Sequence, residues 1–256
     1  MDSRLKASLK IDLKTNLKII GYVILVLVSL NLIIPGGFSL AIGHGLGWSK
    51  EDFASIPGSI SIAIVVFTWL NFDFSFKSKM QNGFSRTQLF KNDVLLIALL
   101  SVVIAFLNRV FKFSLVGNSN STYDGFFSIG FLNVLAIFVI SILGNYFFIS
   151  IGEFLGAFFS LFSKRIRKWI MVVFFVGWVF GSFSLFTITA IGIGTFADKF
   201  GVDTNTVVTT IFNVLFGYHI HGPYNPINFV ITLLVLDGML TLVNRFIIHH
   251  LQLHRN

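Results

Sequence analysis

The sequence FFSIGFLNVLAIFVISILGNYFFISIGEFLGAFFSLF, residues 126–162, decides the fold class, because it is apolar almost throughout and Glu153 is its only charged residue. A helix rises about 1.5 Å per residue, so this stretch would extend roughly 55 Å as one helix, whereas the hydrocarbon core of a bilayer is about 30 Å thick. We therefore expect a membrane-spanning helix that tilts, breaks or projects inward. Gly144, Gly152 and Gly156 mark the places for a bend or a close helix contact, and the Gly152–Gly156 spacing favours packing over a gating hinge.

The whole chain has the composition of a membrane protein. Of its 256 residues 55% are hydrophobic and 12% are charged, and the mean hydropathy is +0.84, whereas soluble domains carry about 25% charged residues. The net charge of +8 is distributed between apolar runs, which indicates contact with membrane lipids and not with nucleic acid. The absence of cysteine excludes disulfides, thiolate metal sites and cysteine nucleophiles. We predict a single transmembrane domain over residues 1–256.

Six segments are long and apolar enough to cross a bilayer, which takes about 20 residues. We therefore predict an all-α polytopic membrane protein with six transmembrane helices, at residues 19–42, 54–74, 94–113, 126–149, 169–190 and 227–248. Most of the 19 Lys and Arg residues then fall on one side of the membrane, at 1–18, 75–93, 164–168 and the C terminus. Because positive charge concentrates in short cytoplasmic loops, we expect both termini in the cytoplasm.

Two shorter segments predict helices outside the spans. In residues 1–18 a leucine recurs every four positions and a lysine follows each, which is typical of a helix lying along the inner membrane surface; a frayed basic tail is the alternative. In the outer connection, residues 196–225, apolar residues recur at helical spacing over 204–216, after Thr204 and Thr206. This second helix is too short to cross the bilayer, so we expect it to be re-entrant.

The chain carries none of the common catalytic motifs. It has no Gly-x-x-x-x-Gly-Lys-Ser/Thr phosphate loop, no His-Glu-x-x-His zinc motif and no Gly-x-Ser-x-Gly hydrolase motif. We therefore expect no enzyme activity, no metal site and no cofactor, and any use of ATP would need a separate polypeptide. His249, His250 and His254 cluster near the C terminus, where we interpret them as basic residues at the inner interface.

Three polar residues in or next to the predicted spans are candidates for a transport pathway. Asp237 lies near the middle of the last span, where an ionisable side chain is costly and is expected to face the bundle interior. Its candidate partners are Asn133, Asn145 or a charged substrate, and both a structural hydrogen bond and a role in translocation or proton coupling stay open. The other two candidates are Asn145 and Glu153, and we interpret Glu153 as a structural or coupling residue near the inner end of the fourth span.

The predicted cytoplasmic loop at 75–93 contains a compact motif. Asn82 and Gly83 form a turn signal, Ser85 is a helix-capping residue, and residues 87–91 lead helically into the third span. Such a segment can present a compact surface to a cytoplasmic partner, although an ordinary solvated turn also fits the sequence.

Taken together, these features resemble the membrane subunit of bacterial ABC-2 type transporters. Members of that family have a basic interfacial helix, six spans, a coupling helix between the second and third spans, and a re-entrant outer helix between the fifth and sixth. The corresponding segments of this chain are 2–18, 78–92 and 204–216. The segment from Asn82 to Arg86, followed by Phe90, is similar to the family pattern Gly-x-Ser-Arg followed by an aromatic residue.

The resemblance implies a permease without its own ATPase site, located in the bacterial cytoplasmic membrane. It would export a peptide, lipid or drug-like substrate, paired with a second permease copy or paralogue and driven by a separate ABC ATP-binding subunit. The residues implied to contact that ATPase are Gly83, Phe84, Ser85, Arg86 and Phe90. Two alternatives stay open, a secondary transporter that uses Asp237 and a non-transporting membrane factor such as an immunity protein.

Overall fold

The computed structural model describes residues 3–41, 56–111, 122–123, 125–163, 165–170, 172–173, 204–219 and 222–251. Within these ranges every regular element is a helix and no strand occurs, so the predicted all-α class is confirmed. The helices are α1 (Ser3–Ala41), α2 (Ile56–Gln81), α3 (Arg86–Phe111), α4 (Gly130–Ser160), α5 (Thr204–Phe216) and α6 (Pro226–His250). Residues 165–170 are helical as well.

Four of these helices are long and apolar enough to cross a membrane, which indicates a membrane-embedded protein. The spanning stretches are Ile60–Gln81, Arg86–Val110, Gly130–Ser160 and Pro226–His250. They correspond to the predicted second, third, fourth and sixth spans. The predicted first span, 19–42, falls almost entirely within α1, and the predicted fifth span, 169–190, lies largely outside the described residues.

α2 extends further toward the turn than the sequence predicts, whereas the helical segment predicted at 87–91 is confirmed as the beginning of α3. α2 ends at Gln81 and α3 begins at Arg86, so the predicted loop at 75–93 is reduced to the turn 82–85. The reason is that polar side chains beyond the apolar stretches pair with one another between the two helices. We call the end of the bundle that carries this turn the turn end.

α1 is one uninterrupted helix of 39 residues, so the predicted surface helix at 1–18 continues directly into the predicted first span. Part of its N-terminal segment packs against protein, because Leu5 is buried and Asp12 contacts side chains of both α2 and α3. Other apolar side chains of the segment are exposed, among them Ile11 and Leu17. The segment therefore has one face on the bundle and another that is free to face lipid.

α4 is the central helix, since it packs against α2, α3 and α6. Gly152 and Gly156 lie where α2 comes closest: a Cβ atom at residue 152 would be 2.6 Å from the carbonyl oxygen of Val65, and one at residue 156 would overlap Cβ of Phe72. The packing role favoured for this pair is therefore confirmed. The helix does not break at these glycines, and its 31 residues extend about 46 Å.

Two apolar clusters form the core. The first cluster joins the four helices α1, α2, α3 and α4. It consists of Ile20, Ile60, Ile64, Ile97, Leu100, Ile104 and Ile149. The second lies at the turn end, joins α2, α3, α4 and α6, and consists of Phe72, Phe76, Leu89, Ala157, Ile247, Ile248 and Leu251. Many other large apolar side chains of α2, α3, α4 and α6 are exposed, as expected for helices that face lipid.

The opposite end of the bundle holds α5 against the start of α6. Gly217 has a φ of +68°, and its carbonyl accepts a hydrogen bond of 2.8 Å from the amide of Asn225. The Tyr123 hydroxyl donates to the carbonyl of Phe216 at 3.2 Å. Burial raises the pKa of Tyr123, so this hydroxyl keeps its proton. α5 has the bounds predicted for the outer helix, 204–216.

Candidate functional site

The turn between α2 and α3 begins with a hydrogen-bonded helix end. Gly83 has a φ of +80°, a conformation that favours glycine. Its amide donates to the carbonyl of Met80 at 3.0 Å, and the amide of Phe84 donates to the carbonyl of Lys79 at 3.2 Å. This pair of bonds is the Schellman motif, which satisfies carbonyls that a helix end would otherwise leave without donors.

α3 begins with a reciprocal cap. The Ser85 hydroxyl accepts from the amide of Gln88 at 3.2 Å, and the Gln88 side-chain oxygen accepts from the amide of Ser85 at 2.9 Å. This arrangement is a capping box, so the capping role predicted for Ser85 is confirmed. Both sides of the turn are therefore closed by local hydrogen bonds.

The turn is also attached to the C-terminal end of α6. A guanidinium nitrogen of Arg86 donates to the backbone carbonyl of His249, and the last carbonyls of a helix carry the partial negative charge that attracts a cation. From α6, the guanidinium carbon of Arg245 lies 5.9 Å from the centre of the Phe90 ring, a cation–π distance. A displacement of the turn therefore acts on α2, α3 and α6 together.

The five residues implied to contact an ATPase divide into two groups. Gly83 and Ser85 are exposed, whereas Phe84, Arg86 and Phe90 are half-buried. The two phenylalanines pack against the second apolar cluster. The turn therefore offers an exposed tip on a base that is anchored in the core.

A buried ionic cluster lies beside the turn, and the sequence analysis missed it. Lys79 is 8% exposed, and its ammonium lies 3.0 Å from Asp12 of α1 and 2.9 Å from Asp93 of α3. Asn92 donates to the same Asp12 carboxylate at 2.8 Å. The available signals were that Asp12 is the only acidic residue in 3–18 and that an acid and a base flank the turn. Reading 75–93 as an exposed loop concealed the pairing.

Glu153 lies deep in the bundle and binds α6. The side-chain amide of Asn244 donates to one Glu153 oxygen at 3.3 Å and to the carbonyl of Ser150 at 3.2 Å. Glu153 is only 4% exposed, and its other oxygen, Oε1, has no hydrogen-bond partner among the described residues. The buried amide oxygen of Asn244 lacks a partner there as well.

Glu153 and the ionic cluster face one cavity of about 100 Å³ between α1, α2, α3 and α4. Its polar lining is Asp12, Asn16, Thr68, Asn71, Ser75, Lys79, Asp93 and Glu153. The rest of the wall consists of aromatic and aliphatic side chains, including Phe72, Phe76, Ile97, Leu100 and Ile149. The cavity therefore places charged groups against the hydrophobic core.

Asp237 is buried on α6, and neither predicted asparagine binds it. Asn133 exchanges hydrogen bonds with the backbone of Phe127 at 2.8 and 2.9 Å, and the Asn145 side-chain oxygen accepts from the Ser61 hydroxyl at 2.9 Å. These nearby groups satisfy both asparagines. Both carboxylate oxygens of Asp237 lack hydrogen-bond partners within the described part of the chain.

The three pathway candidates therefore lie in different surroundings. Glu153 lines the cavity at the turn end, Asn145 joins α4 to α2, and Asp237 is buried on α6. Among the residues that the structure describes, no group of three or more His, Asp or Glu side chains is arranged to hold a metal ion. No protein-family model, curated protein or solved structure matches the chain.

Proposed function

We propose that this protein is the membrane-spanning permease subunit of an ATP-driven ABC transporter, an exporter of a peptide, lipid or drug-like substrate. ATP would be hydrolysed by a separate subunit, and a second permease copy or paralogue would complete the transporter. The observation that carries the proposal is the turn between α2 and α3, because it joins an exposed tip to three membrane-spanning helices. The resemblance of Gly83, Ser85, Arg86 and Phe90 to the ABC-2 pattern supports the same proposal.

A coupling element must transmit motion to the spanning helices, and two features of the turn support such a role: its closed backbone and its contacts with α6. The Schellman motif and the capping box hold its backbone, while Arg86 and Phe90 bind α6. A partner that displaced the exposed tip would therefore move α2, α3 and α6 together. ATP drives transport in this scheme only if one conformation of the permease binds the nucleotide-loaded partner more tightly than the other.

The chemistry of the tip favours an acidic partner surface. Arg86 is half-buried with its guanidinium at the end of α6, and it is the basic side chain next to the exposed Gly83 and Ser85. No acidic residue lies between Asn82 and Phe90, so the tip carries a positive charge. We expect acidic side chains of the ATPase to face this tip.

The first test is purification of the protein in mild detergent from the cells that produce it, followed by mass spectrometry of the bound proteins. We expect a stoichiometric partner that carries a phosphate-loop motif. Recovery of the folded protein without such a partner, under conditions that preserve membrane complexes, would contradict the proposal.

The buried carboxylate of Asp237 supports a second candidate, a secondary transporter. A buried ionisable residue without a described partner is typical of an ion or proton pathway in such proteins. Transport in sealed vesicles distinguishes the two candidates. Loss of transport on collapse of the proton gradient, and in Asp237→Asn, favours the carrier; dependence on ATP with the gradient collapsed favours the permease.

A further inference from the structure

The cavity at the turn end has an imbalance of charge. Three carboxylates line it, those of Asp12, Asp93 and Glu153, against the single ammonium of Lys79. That ammonium is already committed, since it lies within 3.0 Å of both aspartates. Glu153 therefore has no cation of its own within the described residues that line the cavity.

Nearby cations bind elsewhere. Lys77 lies 3.2 Å from Asp73, and Arg167 lies 3.4 Å from the same carboxylate. Neither of these two basic residues, nor Asp73, lines the cavity. This second ionic group ties the helical segment 165–170 to α2 and leaves the charge at Glu153 unchanged.

Glu153 and its partner Asn244 each leave one acceptor atom unsatisfied. Glu153 Oε1 and the amide oxygen of Asn244 are buried and have no hydrogen-bond donor in the described structure. Both are acceptors, so a further acceptor would not satisfy them. An ionised carboxylate without a partner is costly in such a site, and either a proton or a positively charged occupant reduces that cost.

We propose that this cavity binds a small monovalent cation, Na⁺ or K⁺, with Glu153 Oε1 as its charged ligand. The same lining contains two residues with neutral side-chain oxygens, Asn71 and Ser75. A volume of about 100 Å³ holds one such ion with a few waters, since water occupies about 30 Å³ per molecule in the liquid. Divalent Ca²⁺ is disfavoured because it takes six to eight oxygen ligands, usually with several carboxylates, and of the three carboxylates that line the cavity only Glu153 is not paired with Lys79.

The proposed ion would stabilise the packing of α4 against its neighbours. Glu153 belongs to α4, whereas Asn71 and Ser75 belong to α2 and the ionic cluster joins α1, α2 and α3. An ion between them would connect the helices that form the cavity. This inference does not depend on an ATPase partner, so its failure would leave the proposed function intact.

The test is thermal unfolding of the purified full-length protein in detergent at constant ionic strength, with Na⁺, K⁺ or N-methylglucamine as the cation of the chloride salt. We expect a saturable rise of the unfolding midpoint in Na⁺ or K⁺, about 3 to 5 °C at ten times the dissociation constant, relative to N-methylglucamine. Equal midpoints in all three salts would overturn the proposal. Equilibrium binding of radioactive Na⁺ or Rb⁺ to the wild-type protein gives an independent measurement.

Two matched variants locate the site. Glu153→Gln keeps the shape of the side chain and its bond with Asn244, and we expect it to abolish the cation-dependent rise while remaining folded in N-methylglucamine. Asp73→Asn removes a carboxylate from α2 outside the cavity, and it should keep the full rise. A rise that persists in Glu153→Gln, or bound Rb⁺ that this variant retains, would show that the ion does not lie at Glu153.

Discussion

The turn between α2 and α3 and the cavity beside it lie at the same end of the bundle but satisfy their polar groups differently. In the turn, Gly83 and Ser85 bond with residues at most four positions away. At the cavity, Lys79 of α2 is paired with Asp12 of α1, and Glu153 of α4 accepts a hydrogen bond from Asn244 of α6. The turn is complete in itself, whereas the cavity exists only when the helices are assembled.

This difference separates two kinds of function. A locally closed turn keeps its shape when the helices move, as a contact surface for a partner must. A cavity assembled from four helices changes its shape when any of them moves, so the affinity for an ion bound there would depend on the arrangement of the helices. The two regions are connected through Lys79, whose carbonyl closes the turn while its ammonium holds the ionic cluster.

The largest expected effect comes from removing the shared lysine. Lys79→Met would leave Asp12 and Asp93 without their buried cation, and breaking a buried ion pair costs about 3–5 kcal/mol. We expect a loss of that size in the free energy of unfolding, measured in detergent. The backbone hydrogen bonds of the turn would remain, so the loss of stability would come from the ion pairs at the cavity.

Lys77→Met is the matched control, because it removes a lysine from the same helix. Its pair with Asp73 is more exposed, so the loss should be below about 1 kcal/mol. Equal losses for the two variants would show that burial at the turn end does not determine the contribution of these ion pairs.

The local features of the fold could be predicted from the sequence. The turn at Gly83 and the cap at Ser85 depend on residues within a few positions, so their spacing is visible in the chain. The all-α class and the four described apolar helices follow from composition and length in the same way. The Gly152–Gly156 spacing likewise predicted a close helix contact, which α2 provides.

The cavity could not be predicted, because its pairs join residues far apart in the chain. Nothing near Asp12 indicates that Lys79 and Asp93 will meet it. For Asp237, depth in the membrane predicted burial but not the partner, and Asn133 and Asn145 bind groups nearer to them. The end of α2 was misjudged for the same reason, since Lys79 lies beyond the apolar stretch and is paired with Asp12 and Asp93 of other helices.

An intermediate effect is expected where α4 contacts α2 beside Glu153. A Cβ atom at residue 152 would lie 2.6 Å from the Val65 carbonyl oxygen, so Gly152→Ala must push the two helices apart. Overpacking of this kind costs about 1–3 kcal/mol, and we also expect a weaker response to the proposed cation.

Gly144 provides the matched control, because a Cβ atom there would meet nothing within 4 Å. Gly144→Ala should therefore leave stability unchanged or raise it by up to about 1 kcal/mol, and a similar loss in both variants would refute the role of close contact.

The smallest effect on stability is expected at the cap of the turn. Ser85→Ala removes the hydroxyl that accepts from Gln88 and should cost about 1 kcal/mol, whereas Asp and Asn both replace Ser well at a helix N-cap. Ser85→Asp and Ser85→Asn should therefore unfold at nearly the wild-type temperature. A common loss in all three variants would show that the cap contributes little and that the side chain acts in another way.

The same pair of variants separates the surface role of the turn from its stability. Both keep the cap, but Ser85→Asp places a negative charge on the exposed tip beside Arg86, where we propose that acidic groups of the ATPase bind. We expect Ser85→Asp to recover at least tenfold less ATPase in co-purification and Ser85→Asn to recover the wild-type amount, since like charges across an interface cost several kcal/mol. Equal recovery with both variants would place the ATPase contact away from the turn, and the resemblance to the ABC-2 pattern would then lose its functional meaning. The local closure of the turn would survive that result, because it depends only on hydrogen bonds within the chain.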